Sequence, residues 1–561
     1  MDSHKRKSNR NRRNIKTYDT SVILHKIHCS MIRDLNPLES SWFKDPRSYD
    51  GPGYKYWKSY DFKKMAQLQH FFKRIVLPTD PDNDVIETLS INKFRDSQET
   101  FGIRRHTLRS KRVIERASAI VADVLGEFDY NEFFRFCRFG KKSAKDLPLE
   151  KSYLDNRVNC LNGTPSQLEW FKAACNEDIH FHRAVRHGLK KAYTVDSLDL
   201  KAVPKAFDKK RTILPDSTVG GFLSAGLGRL IRSKLEGVTH IKLASAESIH
   251  KYLAKASSVS GTNATLDMKS ASDSFVWEHI TMLTPESWWP ILETVRIGKV
   301  NITYPDGTTA VQELRSYMLM GSGHTFPLQT LLFYAICKAT LELLGSRARV
   351  YVYGDDIILP SKYASYIVDI VYDLGFTINE DKSFIDGPFR ESCGGDYHHG
   401  VDVRPFMPEH FCEKLHKNEY TEFLNKLYNG FLRRWEYAEL PETLDLIITE
   451  ILAIWGEVYP IPEEYPETCG LYYIPQKYSG YVRCPILKDS ITYYFVLSSK
   501  SRRRKPTKER IYYWYWLHSH NSSTIMLDPL KWDADGSGSL DHRGLSREPL
   551  KGSSKPSWIF M

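Results

Sequence analysis

At the centre of the chain two apolar runs flank a pair of adjacent carboxylates: Val350-Tyr351-Val352-Tyr353, then Gly354-Asp355-Asp356, then Ile357-Ile358-Leu359. β-Branched and aromatic residues at this density predict two short strands, and the Gly-Asp step between them predicts a tight hairpin. Adjacent acids repel each other and contribute nothing to a core. A turn can carry Gly-Asp for backbone reasons alone, so the dipeptide needs its neighbours before it means chemistry.

Those neighbours are readable. Thr325, Phe326 and Pro327 open a helix with Pro in the first turn, Leu328, Leu331, Leu332, Ala335 and Ile336 mark its apolar face, and Gly345 ends it. Ser361 is expected to cap the next helix, whose apolar positions Ile367, Ile370, Val371 and Leu374 stop at Gly375, and Phe376-Thr377-Ile378 reads as a further strand. Helix, hairpin, helix and strand in this order predict an α+β fold, with helices on one face of a mainly antiparallel sheet. Upstream, Ala264-Thr265-Leu266 leads into Asp267, with Asp273 six residues on. A strand ending in Asp267 beside the hairpin would bring carboxylates from two strands together. Hard Mg²⁺ ions prefer such oxygen ligands, and two of them would serve transfer of a nucleotidyl group.

Charge adds a second line. The net charge is +11, yet residues 5 to 16 hold seven basic residues without an acid, and residues 500 to 510 hold seven against Glu509, so the remainder is close to neutral. Two such runs suit a polyanion. The second leads into Tyr512, Tyr513, Trp514, Tyr515 and Trp516, which could stack on a single strand or could belong to a buried aromatic segment beside a solvated loop. With 41% hydrophobic residues in 561, the chain has material for three or four structural units and is not disordered. No stretch approaches 18 uninterrupted apolar residues and residues 1 to 16 are polar, so neither a membrane span nor a secretory signal is expected.

The ordered set of motifs from about 200 to 406 resembles the catalytic beta subunit of levivirus-type RNA bacteriophage replicases, exemplified by phage Q-beta. The resemblance implies a right-hand RNA-directed RNA polymerase that copies single-stranded RNA from nucleoside triphosphates without a primer and releases pyrophosphate, with two Mg²⁺ ions. It implies Asp267, Asp355 and Asp356 as metal-binding catalytic residues, with Asp273 near the incoming ribose. Met320 to Phe326 resembles the glycine loop of the nucleotide site, which makes Ser322 and Gly323 nucleotide-binding. Val203-Pro204-Lys205 with Lys209, Lys210 and Arg211 resembles the nucleotide entry motif, where Lys205 and Arg211 would meet the triphosphate. Lys382 would protonate the leaving pyrophosphate, and Gly387 to Gly394 would form a hairpin at the palm–thumb border. Many RNA polymerases carry an Asn on the helix after the glycine loop, whereas this helix offers Gln329, which leaves ribose selection to Asp273 or Ser322.

By the same resemblance the chain divides into an N-terminal basic arm and fingers-associated region (1–90), fingers (91–240), palm (241–400), thumb and C-terminal region (401–532) and a flexible tail (533–561). Host elongation factors Tu and Ts and an RNA-binding ribosomal protein are implied partners, in the cytoplasm of a bacterial host and without a membrane. A reverse transcriptase and a non-catalytic RNA-binding protein are the alternatives.

Two further patterns carry less. The nine cysteines include no C-x-x-C pair, and the pairs His180/His182, His398/His399 and His518/His520 have no metal-ligand spacing around them, so structural roles are expected. Asp533 to Asp541 copies the start of a calcium-binding EF-hand loop, but its twelfth position is Gly544 instead of Glu, so calcium binding is not expected.

Overall fold

The computed structural model describes residues 17–36, 58–77, 80–140, 142–409, 414–488, 491–498, 508, 512, 513, 516 and 555–560. The basic run 5–16, nearly all of the run 500–510, His518/His520 and the EF-hand-like segment lie outside the described residues.

The central helix is Thr325–Leu343, and every residue from Pro327 to Cys337 is buried. A helix apolar on all sides has to be surrounded, and the helices Leu108–Leu125 and Thr218–Val238 pack around this one in a single core. Leu108–Leu125 shows how such a neighbour is delimited. Thr107 accepts the Ser110 N–H at its start, Gly126 ends it at φ +62°, and Val113, Ala117, Ile120, Val121 and Val124 form its buried stripe.

Against this core lies a four-stranded sheet in the order Tyr351–Tyr353, Asp356–Pro360, Asn263–Lys269, Thr377–Ile378. All of its ladders are antiparallel. Ala264, Leu266, Met268, Ile357 and Leu359 share the helical core, and the alternation of side chains sends Asp267 and Asp356 to the opposite face. The expected α+β layer is therefore present. The hairpin closes through Gly354 and Asp355, because Tyr353 stands opposite Asp356, and Gly354 takes the left-handed conformation at φ +65°. Ser361 differs from expectation: it begins a 3₁₀ turn, Ser361–Tyr363, and its hydroxyl donates to the Gly261 carbonyl (2.8 Å) instead of capping the helix Ala364–Asp373.

A second core joins distant parts of the chain. Helices Thr20–Leu35 and Ser59–His70 pack with Lys417–Leu432 and Pro441–Trp455. The Asp34 carboxylate accepts the Glu442 and Thr443 N–H groups (3.0 and 2.8 Å), so an acid from one end of the chain caps a helix near the other. Residues 17–36 and 58–77 thus share a core with the C-terminal third.

The aromatic cluster near the C-terminus resolves in favour of burial where it is described. Tyr513 and Trp516 sit in the main core, Trp516 stacks on Phe181 at 4.3 Å, and the Tyr513 hydroxyl accepts the Phe139 N–H (2.8 Å). These two rings are not available to stack on bases. His398 is likewise structural: it is buried against Phe62, with Nδ1 3.0 Å from the Ser59 hydroxyl.

Gly387 to Gly394 folds as expected into a hairpin, Phe389–Ser392 paired with Gly395–His398, and its two turn residues Cys393 and Gly394 both have positive φ. Its anchor is Arg390. This fully buried guanidinium donates to the carbonyls of Asn263, Ile385, Asp386, Gly387 and Phe389 and so ties the hairpin's root to the first residue of the Asp267 strand. Arg390→Met is expected to cost about 3–5 kcal/mol in urea denaturation, because it strands several buried carbonyls at once. A loss below about 1 kcal/mol would mean that the loop finds other donors.

Candidate active site

The site is built on the register of two strands. Asp356 stands directly opposite Asp267, and Asp355 occupies the adjoining turn. Each acid is held differently. Asp267 accepts from the Asn379 side-chain amide (2.6 Å), and its backbone N–H donates to Ser383 Oγ (3.0 Å). Asp356 accepts from the Cys393 N–H (3.2 Å) and from Ser392 Oγ (3.4 Å), so the 389–398 hairpin closes over it. Ser392 in turn lies 2.9 Å from Nδ1 of His250, a buried imidazole whose pKa burial lowers to about 4.

Electrostatics follow from that crowding. Burial, then the charge of Asp355, pushes the Asp356 carboxyl up to about 7. Burial also raises Asp267, with the amide of Asn379 and the ammonium of Lys382 opposing it. For Lys382 burial acts downward, but attraction to Glu391, Asp267 and Asp356 prevails and its pKa is raised. Its Nζ lies 3.2 Å from Glu391 Oε1, and Glu391 also faces Arg404 at 3.7 Å.

A basic hairpin, Lys201–Ala206 with Lys209–Ile213, supplies further cations. Lys205 lies within electrostatic reach of Arg211, Lys382, Asp267 and Asp355, and its pKa is lowered by desolvation first and by those two cations next. Arg211 faces Asp273, whose carboxyl burial pushes up to about 6 against the pull of Ser272 and Arg211. Lys210 points elsewhere: its ammonium is 2.6 Å from Glu87 and fastens the hairpin to the helix Asn83–Thr100. The structure therefore gathers Asp267, Asp355, Asp356, Lys205 and Lys382 around one space, with Arg211 and Asp273 beside it.

The glycine loop borders it through the central helix. Gly323 has no room for a Cβ, which would come within 2.6 Å of Ala225 Cα. Ser322 is turned inward and its hydroxyl donates to Asp216 (2.7 Å). Gln329 is buried in the helix. Sequence reading missed Asp216, Asn379, Ser383 and the His250–Ser392 pair, all of which act across more than 100 residues or through backbone groups.

Among the described residues no three or more His, Cys, Asp or Glu side chains form a ready-made metal cage. The carboxylates form an open, oxygen-only cluster with an excess of negative charge, which fits a hard divalent cation that keeps waters and substrate oxygens in its shell. No helix among the described residues is long and apolar enough to cross a membrane, and no disulfide joins the described cysteines.

Comparison with known proteins places the chain in a family. The model of the RNA replicase beta-chain family matches residues 75–478, and the chain belongs to that family. Among its relatives, the RNA-directed RNA polymerase subunit beta of Qbeta virus (strain MX1) is 36% identical over 265 residues, covering 47% of this chain and 41% of that one. The corresponding subunit of Enterobacteria phage SP is 33% identical over 311 residues (53% and 50% covered), and the beta chain of Escherichia phage MS2 is 30% identical over 370 residues (63% and 62%). The matches thus span less than two thirds of each relative. A solved structure, the RNA-dependent RNA polymerase of a human picorbirnavirus, aligns at a TM-score of 0.45 with 12% identity, covering 77% of this chain and 84% of that one.

The raised carboxyls set a pH dependence. A group at about 7 in the fold and 3.8 when unfolded binds more protons in the native state, so its penalty grows as pH rises from about 4 to 7. Metal-free protein should therefore lose up to about 4 kcal/mol of stability across that window. Asp356→Asn should flatten the slope in thermal melts at pH 5 and pH 8; an unchanged slope would place the titration elsewhere.

Proposed function

We propose that the chain is an RNA-directed RNA polymerase that copies single-stranded RNA, adding nucleotides by two-metal transfer without a primer. The observation that carries this reading is the opposed pair Asp267 and Asp356 beside the Asp355 turn, facing the cations Lys205 and Lys382. Membership of the replicase family supports it. In the vocabulary of right-hand polymerases, residues 241–400 would be the palm, 91–240 the fingers, and 401–532, joined by the N-terminal helices, the thumb.

Asp267 and Asp355 would hold two Mg²⁺ ions, with Asp356 supporting them. Bound there, such ions supply the activation of the 3′-hydroxyl and the charge stabilisation of the pyrophosphate. The chain's own residues do the rest. Lys205 and Arg211 bind the triphosphate, Arg211 through its planar fork. Asp273, Ser322 and Gly323 receive the sugar. Lys382 keeps its proton at neutral pH because three acids surround it, and it gives that proton to the departing pyrophosphate oxygen. Catalysis of this kind is mainly positioning and electrostatics.

Template and product RNA, nucleoside triphosphates, host elongation factors Tu and Ts and an RNA-binding ribosomal protein are the proposed partners, in the cytoplasm of a bacterial host. Neither a reverse transcriptase nor a binding-only protein gains support from the family match.

The test is incorporation of labelled ribonucleotides on a single-stranded RNA template with Mg²⁺, with and without elongation factors Tu and Ts. Wild type should give template-length RNA, and Asp355→Asn should lose at least about 10²–10³-fold in rate while its RNA affinity stays within about twofold. Full activity in Asp355→Asn, or no synthesis by wild type with both factors present, would overturn the reading.

A further inference from the structure

Asp216 stands at the end of the basic hairpin, just ahead of the helix Thr218–Val238, and its carboxylate is completely enclosed. Among the described residues no cation stands at ion-pair distance from it; burial raises its pKa, and the hydrogen bonds from Ser224 and Ser322 and the more distant charge of Lys142 oppose that. Its two oxygens instead take two hydroxyl protons: Oδ1 from Ser322 (2.7 Å) and Oδ2 from Ser224 (2.6 Å). Ser224 Oγ also accepts the Gly323 N–H (3.2 Å), and the Leu214 N–H donates to the Met320 carbonyl (2.8 Å). The glycine loop is thus fastened at Met320, Ser322 and Gly323 to the segment 214–224.

A buried carboxylate is a costly way to join two serines, since its desolvation has to be offset by the bonds it makes. It does one thing that a neutral partner does not. A carboxylate only accepts, so it fixes the direction of both hydroxyl protons. With its proton committed to Asp216, Ser322 Oγ presents only lone pairs to whatever enters the loop. A ribose 2′-hydroxyl can donate to such an oxygen, and a deoxyribose has nothing to offer it. The central helix after the loop contains no Asn, and its Gln329 is buried.

We propose that Asp216 is a positioning residue for nucleotide selection: it locks the glycine loop and orients the Ser322 hydroxyl as an acceptor for the ribose 2′-hydroxyl. This rests on the polymerase reading above. Ser322 touches the nucleotide, and Asp216 acts through it.

The experiment compares ribo- and deoxyribonucleotide incorporation on one RNA template by wild type, Asp216→Asn, Ser322→Ala and the double variant, alongside thermal melts. Asp216→Asn and Ser322→Ala should each raise the ribonucleotide KM about tenfold, the effect of one charge-assisted hydrogen bond, and lower the ribo-to-deoxy preference similarly. The double variant should be no worse than either single, because both remove the same interaction. A lowered melting temperature with unchanged KM and unchanged sugar preference would reduce Asp216 to a structural group and overturn the proposal, as would effects that multiply in the double variant. If Asp216→Asn does not fold, Ser322→Ala and Ser224→Ala probe the clamp from its other side, and unaltered KM and preference in both overturn it. Synthesis by wild type in the same assay separates failure of this proposal from failure of the polymerase reading.

Discussion

Three carboxylates must be held on one face of a small sheet against their own repulsion, and most of the surrounding architecture answers to that requirement. The opposite face supplies the force: Ala264, Leu266, Met268, Ile357 and Leu359 are buried in the helical core, and the two-residue period of a strand then leaves Asp267 and Asp356 no other side to occupy. A one-residue slip of either strand would drive an acid into the core, so the register that pairs Asp356 with Asp267 is fixed by burial. Arg390 adds a second lock by tying the neighbouring hairpin to Asn263, where the Asp267 strand begins.

The same crowding explains the cations. An isolated half-buried lysine tends to lose its proton, yet Lys382 is held charged by Glu391, Asp267 and Asp356. Lys205 is drawn the other way by desolvation first and by Arg211 and Lys382 next, so the two lysines of the site differ in proton affinity although both face Asp267. Lys210 supports the arrangement from elsewhere, since its ion pair with Glu87 fastens the basic hairpin to the helix Asn83–Thr100.

What could be read from the sequence was local. The hairpin around Asp355, the helix from Thr325 to Leu343 and the strand carrying Asp267 all announce themselves within about twenty residues, through β propensity, an N-terminal Pro and closing glycines. The groups that aim these elements were not readable, because they come from far away: Asn379 reaches Asp267 across 112 residues and Ser322 reaches Asp216 across 106. Composition misled where burial decides. Tyr513 and Trp516 follow a basic run and look like a stacking platform, but both are core residues. Ser361 looks like a cap and is instead a donor to Gly261, since the chain enters its helix through a 3₁₀ turn that moves the start two residues on.

Nucleotide site and carboxylate turn are one mechanical unit. The loop that Asp216 fastens runs directly into the central helix, whose first turn carries Phe326 and whose second carries Thr330. Thr330 Oγ1 accepts the Gly354 N–H (3.0 Å), and Phe326 lies so close beneath Gly354 that a Cβ there would stand 2.5 Å from its ring. A displacement of the glycine loop therefore moves the support on which Asp355 sits. Close packing transmits such shifts with little loss, so on the proposed reading a sugar that failed to engage Ser322 would leave the loop, the helix start and the carboxylate turn less well fixed together. Selection and chemistry would then be coupled through one rigid helix, and discrimination would show in the geometry of the reacting groups as well as in affinity.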